Sequence, residues 1–482
     1  MASVLLLAAC TVGPDFKPPA PPQTASYAKE PFARTTGDAS VAEGEPQAFV
    51  RDGDIPAGWW SLFRSPALDS LVRQAIADNP NLQAAQSALK AAMEDVKAQA
   101  GAYYPSVTGG LGISRNRNSA QLSPSLSSPI FLFNLYQAQL GANWTLDIWG
   151  ADKRQVEALS ALAEAQHYQL ESTYVALAAN VVAAAVEEAS LRQQVAVTRD
   201  MLAAEKQILE IEQRQKDLGQ ISGADLVTQD VAVAQTEEAL PPLEKQLAQA
   251  RDLLAALAGR LPADGIAQTF TLGSFTLPVE LPVSLPAKLV GQRPDIRIAE
   301  ANLHAASAEL GVAIANMLPT LTLTAADGTV GTELGQLFAA GNGFWSIGAG
   351  LTQPLFDGGT LLHKSRAARA MLEEMGAQYR ATVIAALQNV ADGLHAVQSD
   401  GDNLKAAAAA ANAAERQFSI ARTELGLGQI DRLSLLTAEQ SYFQARLALA
   451  QAQAGRLADT AALFQALGGG WWHRTDDIQA QK

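Results

Sequence analysis

The chain has 482 residues, is rich in Ala, Leu and Gln, and has only 17% charged residues, so a sizeable core and more than one domain are expected. Its net charge of −14 argues against a nucleic-acid partner, which requires clustered Lys and Arg. The one cysteine, Cys10, excludes an intramolecular disulfide. No run of about 18 apolar residues follows the N-terminus, so no transmembrane helix is predicted.

The N-terminus is typical of a lipoprotein. The sequence "LAAC" at 7–10 matches a lipobox, in which Cys10 is acylated after cleavage; the alternative is a free thiol. No Lys or Arg precedes the apolar run, which is short for a signal peptide. We interpret 1–9 as a signal-peptide remnant, and the covalent lipid on Cys10 is the only cofactor expected. Thr11, rather than Asp, favours export to the outer membrane. Five prolines in 14–22 predict an extended, lipid-anchored tether over 10–60.

The rest of the chain consists of two copies of an internal repeat. A shift of 209 residues aligns the region after about residue 145 with its second copy, and a shift of 214 aligns the region before about residue 106. Matched residues include Leu146 with Leu355, Gly219 with Gly428, Pro80 with Pro294 and Pro105 with Pro319. The predicted segments are a first repeat at 61–270, a linker at 271–292, a second repeat at 293–468 and a C-terminal tail at 469–482.

Each repeat is predicted to open with a helix and to continue with two strands. Pro80 and Pro294 suit the first position of a helix, where a missing N–H costs nothing. Apolar and polar residues then alternate with period two, which indicates a sheet with one face exposed to water. The predicted strands are at about 103–114, 135–147, 318–326 and 344–354. Such strands are typical of an outer-membrane barrel, and a soluble half-buried sheet is the alternative.

Two very long helices follow the strands. Residues 151–217 contain no Pro or Gly, and 360–425 contain no Pro, so each predicts a helix of about 100 Å. Both end at the sequence "LGQI", where a glycine supplies a left-handed conformation. Return helices are predicted at 220–258 and 430–466. Because four strands cannot close a barrel and lipid does not tolerate open sheet edges, we expect the chain to oligomerise. Three copies would supply 12 strands.

Six motifs carry a resemblance to a known family. They are "ACTVGPDFKPP" at 9–19, "GWWSLFRSPALDSLV" at 58–72, "LDIWG" at 146–150, "RPDIRIAEANLHAASAELG" at 293–311, "QPLFDGG" at 353–359 and "ALGGGWW" at 466–472. The chain resembles the outer membrane factors, the TolC-like exit ducts, and within them the OprM-like, lipid-anchored branch. The resemblance implies an α+β membrane protein, a homotrimer whose 12-stranded β-barrel, with four strands per chain, is continuous with a long periplasmic α-helical barrel.

The resemblance also implies a function and partners. The duct would conduct substrates passively across the outer membrane of a Gram-negative bacterium, as the exit of a tripartite, RND-type efflux system with an inner-membrane pump and a periplasmic adaptor. Type I secretion and metal-cation efflux are alternatives, and a non-conducting coiled-coil scaffold is less favoured. The sequence has no nucleophile elbow, phosphate loop or metal-ligand spacing, so neither an enzyme nor a metal site is expected.

Candidate site residues follow from the same resemblance. The two "LGQI" turns would be periplasmic tips where the adaptor docks, with Gly219, Gln220, Gly428 and Gln429 at their centres. The OprM-like pattern Leu-x-x-Leu-Asp-Ala-Gln-Arg falls on 433–440, where Thr437 replaces the acid and Gln440 the arginine. The inferred gate residues are Leu433, Ser434, Thr437, Glu439 and Gln440, with the first three forming a neutral constriction. Asp225 and Arg432 are the predicted tip ion pair, and two solvated surface charges are the alternative.

Overall fold

A computed structural model describes residues 11–117 and 132–474. The predicted lipidation site at Cys10, the signal-peptide remnant at 1–9 and the end of the tail at 475–482 lie outside the described residues. The described chain divides into two compact units. The first unit comprises 11–19, 88–166 and 298–379, and the second comprises 20–87, 167–297 and 380–474.

Helices dominate the described residues. They are α1 (Pro66–Asp78), α2 (Pro80–Ala100), α3 (Ala151–Asp217), α4 (Gly223–Leu257), α5 (Pro286–Gln292), α6 (Pro294–Ala315), α7 (Thr360–Gly426) and α8 (Arg432–Ala466). The long helices α3 and α7 have 67 residues each, and the return helices α4 and α8 have 35 each. Each opening helix, α2 or α6, is preceded by a further helix, α1 or α5, which the sequence analysis did not separate. All four begin at a proline, whose fixed φ suits the first helical position.

The strands form two sheets. They are β1 (Ala48–Arg51), β2 (Ser106–Arg117), β3 (Leu132–Leu146), β4 (Glu280–Val283), β5 (Thr320–Gly331) and β6 (Gly343–Thr352). Strands β1 and β4 pair in parallel, whereas the larger sheet is antiparallel in the order β2-β3-β5-β6. In the hairpin β2–β3, Ser106 lies opposite Asn143, and in β5–β6, Thr320 lies opposite Thr352. These two pairs are related by the same shifts of 214 and 209 residues that align the sequence with itself.

The larger sheet has one apolar and one polar face. Over 107–113, 138–146, 321–325 and 345–351 the alternating pattern and the register place the apolar side chains together, whereas Thr, Gln, Asn, Ser and Gly occupy the other face. Leu111 is 85% exposed and Ile347 is 79% exposed, so the apolar face is uncovered in the single chain. One further exposed aromatic residue on this face is Trp345. An uncovered apolar face of this kind marks a surface for lipid or protein.

The prediction of an extended tether over 10–60 is wrong for the stretches of that segment that pack against the rest of the chain. The Val12 N–H donates to the carbonyl of Trp149, 3.1 Å away, in the first unit. In the second unit β1 pairs with β4, and Trp59 and Phe63 are fully buried. The indole of Trp59 stacks on Phe464 of α8 with ring centroids 5.3 Å apart. The segment packs because its backbone finds hydrogen-bond partners and its aromatic side chains find a core.

Helix α3 is a core helix. An 18-residue window within it is apolar enough to cross a membrane by composition, but 78% of that window is buried inside the protein. Small Ala and Val side chains line the buried positions, which lets neighbouring helices approach closely. The apolar content of α3 is therefore explained by packing against protein.

Candidate functional site: the helical turns and the start of α8

The two "LGQI" turns have the same hydrogen-bonding geometry. The Gly219 N–H donates to Lys216 O and the Gln220 N–H donates to Gln215 O, and both N···O distances are 2.8 Å. The corresponding bonds in the second repeat are Gly428 N–H to Leu425 O, 3.0 Å, and Gln429 N–H to Glu424 O, 2.9 Å. Both glycines have left-handed φ, +70° and +69°. Each turn is thus a Schellman motif that satisfies the last carbonyls of a long helix.

Each return helix begins at a side-chain cap. Ser222 and Asp225 form a capping box at α4: the Asp225 N–H donates to Ser222 Oγ, 3.3 Å, and the Ser222 N–H donates to Asp225 Oδ2, 3.0 Å. At α8 the Ser434 N–H donates to Asp431 Oδ1, 2.8 Å. Hydrogen bonds from the hydroxyl and the backbone N–H of Ser222 lower the pKa of Asp225, and those from Ser434 lower the pKa of Asp431. The caps fix where each return helix starts.

Substituting Gly428 by alanine is expected to destabilise its turn by about 1–2 kcal/mol. The cost comes from the left-handed φ alone, because a Cβ at this position would meet no other atom within 4 Å. Hydrogen exchange of the turn amides should accelerate by about 5–30-fold. Gly426→Ala is the matched control, because Gly426 ends α7 without a positive φ and also has open space around it. Equal exchange in the two variants would contradict the geometry described.

Arg432 pairs with Glu212 rather than with Asp225, so the predicted tip ion pair is wrong. The Arg432 guanidinium donates to Glu212 Oε1 and to Gln215 Oε1, both on α3. The Glu212 side chain is only 4% exposed, so it gains more from a cationic partner than an exposed acid does. Asp225 is held by Ser222 within its own capping box, and Arg432 makes only the smallest contribution to lowering the pKa of Asp225.

The start of α8 presents three of the predicted gate residues together. Leu433, Ser434 and Thr437 are all exposed, and their spacing places them on one face of the helix. Gln440 is half-buried. Glu439 is wrong as a member of this face, because it lies on the opposite, buried side and is only 1% exposed. It packs near Glu205 of α3, a residue that the sequence analysis missed.

Glu205 and Glu439 lie in the contact between α3 and α8, called the seam below, and their pKa values are shifted. Burial and the charge of Glu205 together raise the pKa of Glu439 to about 7. Burial also raises the pKa of Glu205. Once the Arg432–Glu212 pair is known, the sequence spacing points to this second pair, because Glu205 precedes Glu212 by seven residues and Glu439 follows Arg432 by seven. Residues seven apart lie on the same helix face.

A groove beside the second turn runs between α7 and α8. Its volume is about 470 Å³, and its lining combines apolar side chains with charged ones. The lining includes Arg416, Ile420, Glu424, Ile430 and Ser434. In residues 11–117 and 132–474, no group of three or more His, Cys, Asp and Glu side chains is placed to hold a metal ion. The chemistry of this region is therefore that of a helical surface with a groove.

Comparison with known proteins gives the family. The profile described as outer membrane efflux protein matches residues 71–260 and 285–469, most of the chain. The chain belongs to the outer membrane efflux protein family. Its resemblance to the outer membrane factors, predicted from six sequence motifs, is thereby confirmed.

Named relatives include outer membrane proteins of toluene efflux and of pyoverdine export. The chain is 28% identical over 481 residues to the toluene efflux pump outer membrane protein TtgC of Pseudomonas putida, covering 99% of this chain and 96% of the relative. It is 28% identical over 419 residues to the pyoverdine export outer membrane protein OpmQ of Pseudomonas aeruginosa, covering 86% of this chain and 87% of the relative. A solved structure of the outer-membrane channel OprN superposes with a TM-score of 0.83 at 26% identity, covering 96% of this chain and 100% of that one.

Proposed function

We propose that three copies of this chain form a passive exit duct across the outer membrane of a Gram-negative bacterium. The duct is a 12-stranded β-barrel, with four strands per chain, continuous with a periplasmic helical barrel. The observation that carries the proposal is the four-stranded sheet. Among residues 11–117 and 132–474, its outer strands β2 and β6 each have one unpaired edge, and its apolar face is uncovered. Lipid contact requires every strand edge to be paired, and a ring of identical chains meets that requirement.

The duct serves a tripartite, RND-type efflux system. An inner-membrane pump supplies the free energy and a periplasmic adaptor docks at the two turns, around Gly219, Gln220, Gly428 and Gln429. The groove between α7 and α8 gives the adaptor a surface of mixed polarity beside the second turn. Small organic solutes are the proposed cargo, since two relatives are named as outer membrane proteins of toluene efflux and of pyoverdine export. Lipid on Cys10 anchors the chain in the outer membrane. Type I secretion and metal-cation efflux are the alternative pathways.

Reconstitution into planar bilayers tests the proposal. The full-length protein is expected to give discrete conductance steps without nucleotide or any other energy source. A coiled-coil scaffold has no lumen and would give no steps, which would overturn the proposal. Identification of the pump that co-purifies with the protein separates the RND-type system from the two alternatives.

Replacing Arg432 by alanine is expected to raise the resting conductance. Leu433, Ser434 and Thr437 form the proposed constriction, and the Arg432–Glu212 ion pair holds their helix against α3. Its loss leaves a buried carboxylate without its cation, at a cost of about 3 kcal/mol to the closed arrangement. Single-channel recording measures the change.

Arg446→Ala is the matched control, since Arg446 also lies on α8 and faces α3. Its partner, Asp200, is 64% exposed and 3.7 Å away, so that pair contributes only about 0–1 kcal/mol. Asp225→Asn should likewise leave the conductance near the wild-type level, because Asp225 acts within its own capping box. An unchanged resting conductance in Arg432→Ala would contradict the role of the ion pair.

A further inference from the structure

The seam between α3 and α8 is an antiparallel ladder of polar contacts. Contacts made by residues nearer the N-terminus of α3 involve residues nearer the C-terminus of α8, and the register between the two helices stays nearly constant. The cross-helix contacts are Glu212 with Arg432, Asp200 with Arg446 at 3.7 Å, and Gln194 with Gln451 at 3.2 Å. Seven residues from Glu212 and seven from Arg432, the same register brings Glu205 opposite Glu439. One rung of the ladder therefore holds two acids between rungs that hold ion pairs.

Both acids are buried and lack strong partners. Glu205 is 0% exposed and Glu439 is 1% exposed, and none of their four carboxylate oxygens has a hydrogen-bond partner among the described residues. From the other packed helices, Arg422 of α7 favours the charged form of Glu439 at longer range, and the Thr236 hydroxyl of α4 favours the charged form of Glu205, but burial outweighs both. Two neighbouring buried carboxylates cannot both be ionised without a large penalty. A shared proton removes one charge and supplies one donor.

We propose that Glu205 and Glu439 form a proton-operated latch that keeps α8 against α3 while the pair holds a proton and weakens the seam when both acids are ionised. Glu439 lies within about two turns of Leu433, Ser434 and Thr437 on α8, so a weakened seam loosens the end of the helix that carries the proposed constriction. The consequence for conduction rests on the proposed function, whereas the strength of the seam does not.

The sign of the pH effect follows from proton linkage. The closed seam binds the proton more tightly, because the pKa of Glu439 is raised to about 7 there, whereas a hydrated carboxyl in an open seam returns to about 4.5. The closed arrangement is therefore fully favoured below about pH 4.5 and loses that advantage as the pH rises toward 7. The ratio of closed to open states should fall by up to about tenfold per pH unit in this window.

The test compares the full-length protein with Glu439→Gln at about pH 5 and about pH 8. Single-channel open probability and hydrogen exchange of the α8 amides, corrected for the intrinsic rate at each pH, are measured in parallel. The wild-type closed-to-open ratio should fall by up to about 100-fold between the two conditions. Glu439→Gln should keep the seam closed at both, because glutamine is neutral and can donate to Glu205. Glu205→Gln should act in the same direction.

Glu210→Gln is the matched control, since Glu210 lies on α3 but its side chain is exposed and paired with Arg214. It should retain the wild-type pH response. A pH-independent wild type, or a Glu439→Gln variant with the wild-type pH response, would overturn the latch. An absence of conductance at any pH would count against the duct, while hydrogen exchange would still decide the latch.

Discussion

Replacing Arg456 by alanine is expected to destabilise the second unit by at least about 3 kcal/mol, because four acceptors lose a charged donor in a buried site. Arg456 is 0% exposed and lies on α8. Its guanidinium donates to the side chains of Gln47 and Thr36 at 3.2 and 2.8 Å, and to the carbonyls of Glu43 and Glu45 at 2.9 and 2.6 Å. The N-terminal segment is thereby tied to a helix more than 400 residues later in the chain.

The acids around Arg456 add to the expected loss. Burial, together with a hydrogen bond to Asp459 and the charge of Asp459, raises the pKa of Asp400 to about 7, whereas the positive charge of Arg456 opposes the rise. Burial likewise raises the pKa of Glu43 to about 7. Because Arg456 favours the charged form of both acids, its removal makes burial of their charges at neutral pH more costly.

Chemical denaturation followed by circular dichroism measures the destabilisation, and limited proteolysis detects release of residues 34–47. Arg446→Ala is the control on the same helix and should cost about 0–1 kcal/mol. Arg456→Lys should fall between wild type and alanine, because lysine keeps the charge but cannot donate in a planar fork to four acceptors. Equal stability of Arg456→Ala and Arg446→Ala would contradict the assigned role.

Local patterns were sufficient to predict the long helices and the strands. The absence of Pro and Gly over 151–217 predicts a helix there, and the structure has α3 at Ala151–Asp217. Period-two alternation located the four strands of the larger sheet to within a few residues. The self-alignment went further, since its two shifts relate the register of one hairpin to the register of the other. The alternation within one strand predicts which residues share a face, whereas the internal repeat also relates the residue pairing of β2 with β3 to that of β5 with β6.

Long-range polar contacts could not be predicted from these patterns. Nothing near Arg456 in the sequence indicates that it binds the segment around Gln47, because the partners are brought together only by the fold. The tip ion pair was predicted wrongly for a related reason. Ser222 offers Asp225 a capping box three residues away, a local signal in the sequence Ser-Gly-Ala-Asp, and Arg432 meets a buried acid on another helix instead.

The repeat also predicts how one chain meets the next. In the described sheet β3 pairs with β5, and Ala142 lies opposite Ala325. The 209-residue shift relates β3 to β6, and the 214-residue shift relates β5 to β2. The first shift converts Ala142 into Leu351, and the second converts Ala325 into Leu111. The repeat therefore places Leu351 of one chain opposite Leu111 of a second copy. This register aligns the apolar faces of the two strands, as closure into a barrel requires.

Cysteines at these two positions are expected to join neighbouring chains. Within one chain β2 and β6 are separated by three strand spacings, about 14 Å, so a disulfide between them cannot form inside a single sheet. Between chains, directly opposite residues lie about 4.5–5.5 Å apart, within reach of a disulfide. Glycines 110 and 112 flank Leu111, and a cysteine at either points to the opposite face of the sheet.

Oxidative cross-linking of the double variant Leu111→Cys/Leu351→Cys, read on a non-reducing gel, tests most directly whether one chain supplies a third of a closed barrel. We expect a covalent species that ends at three chains, with no comparable product from either single variant or from Gly110→Cys/Leu351→Cys and Gly112→Cys/Leu351→Cys. Material that stays monomeric after oxidation, cross-links as well through the glycine positions, or extends into a ladder beyond three chains would contradict the account.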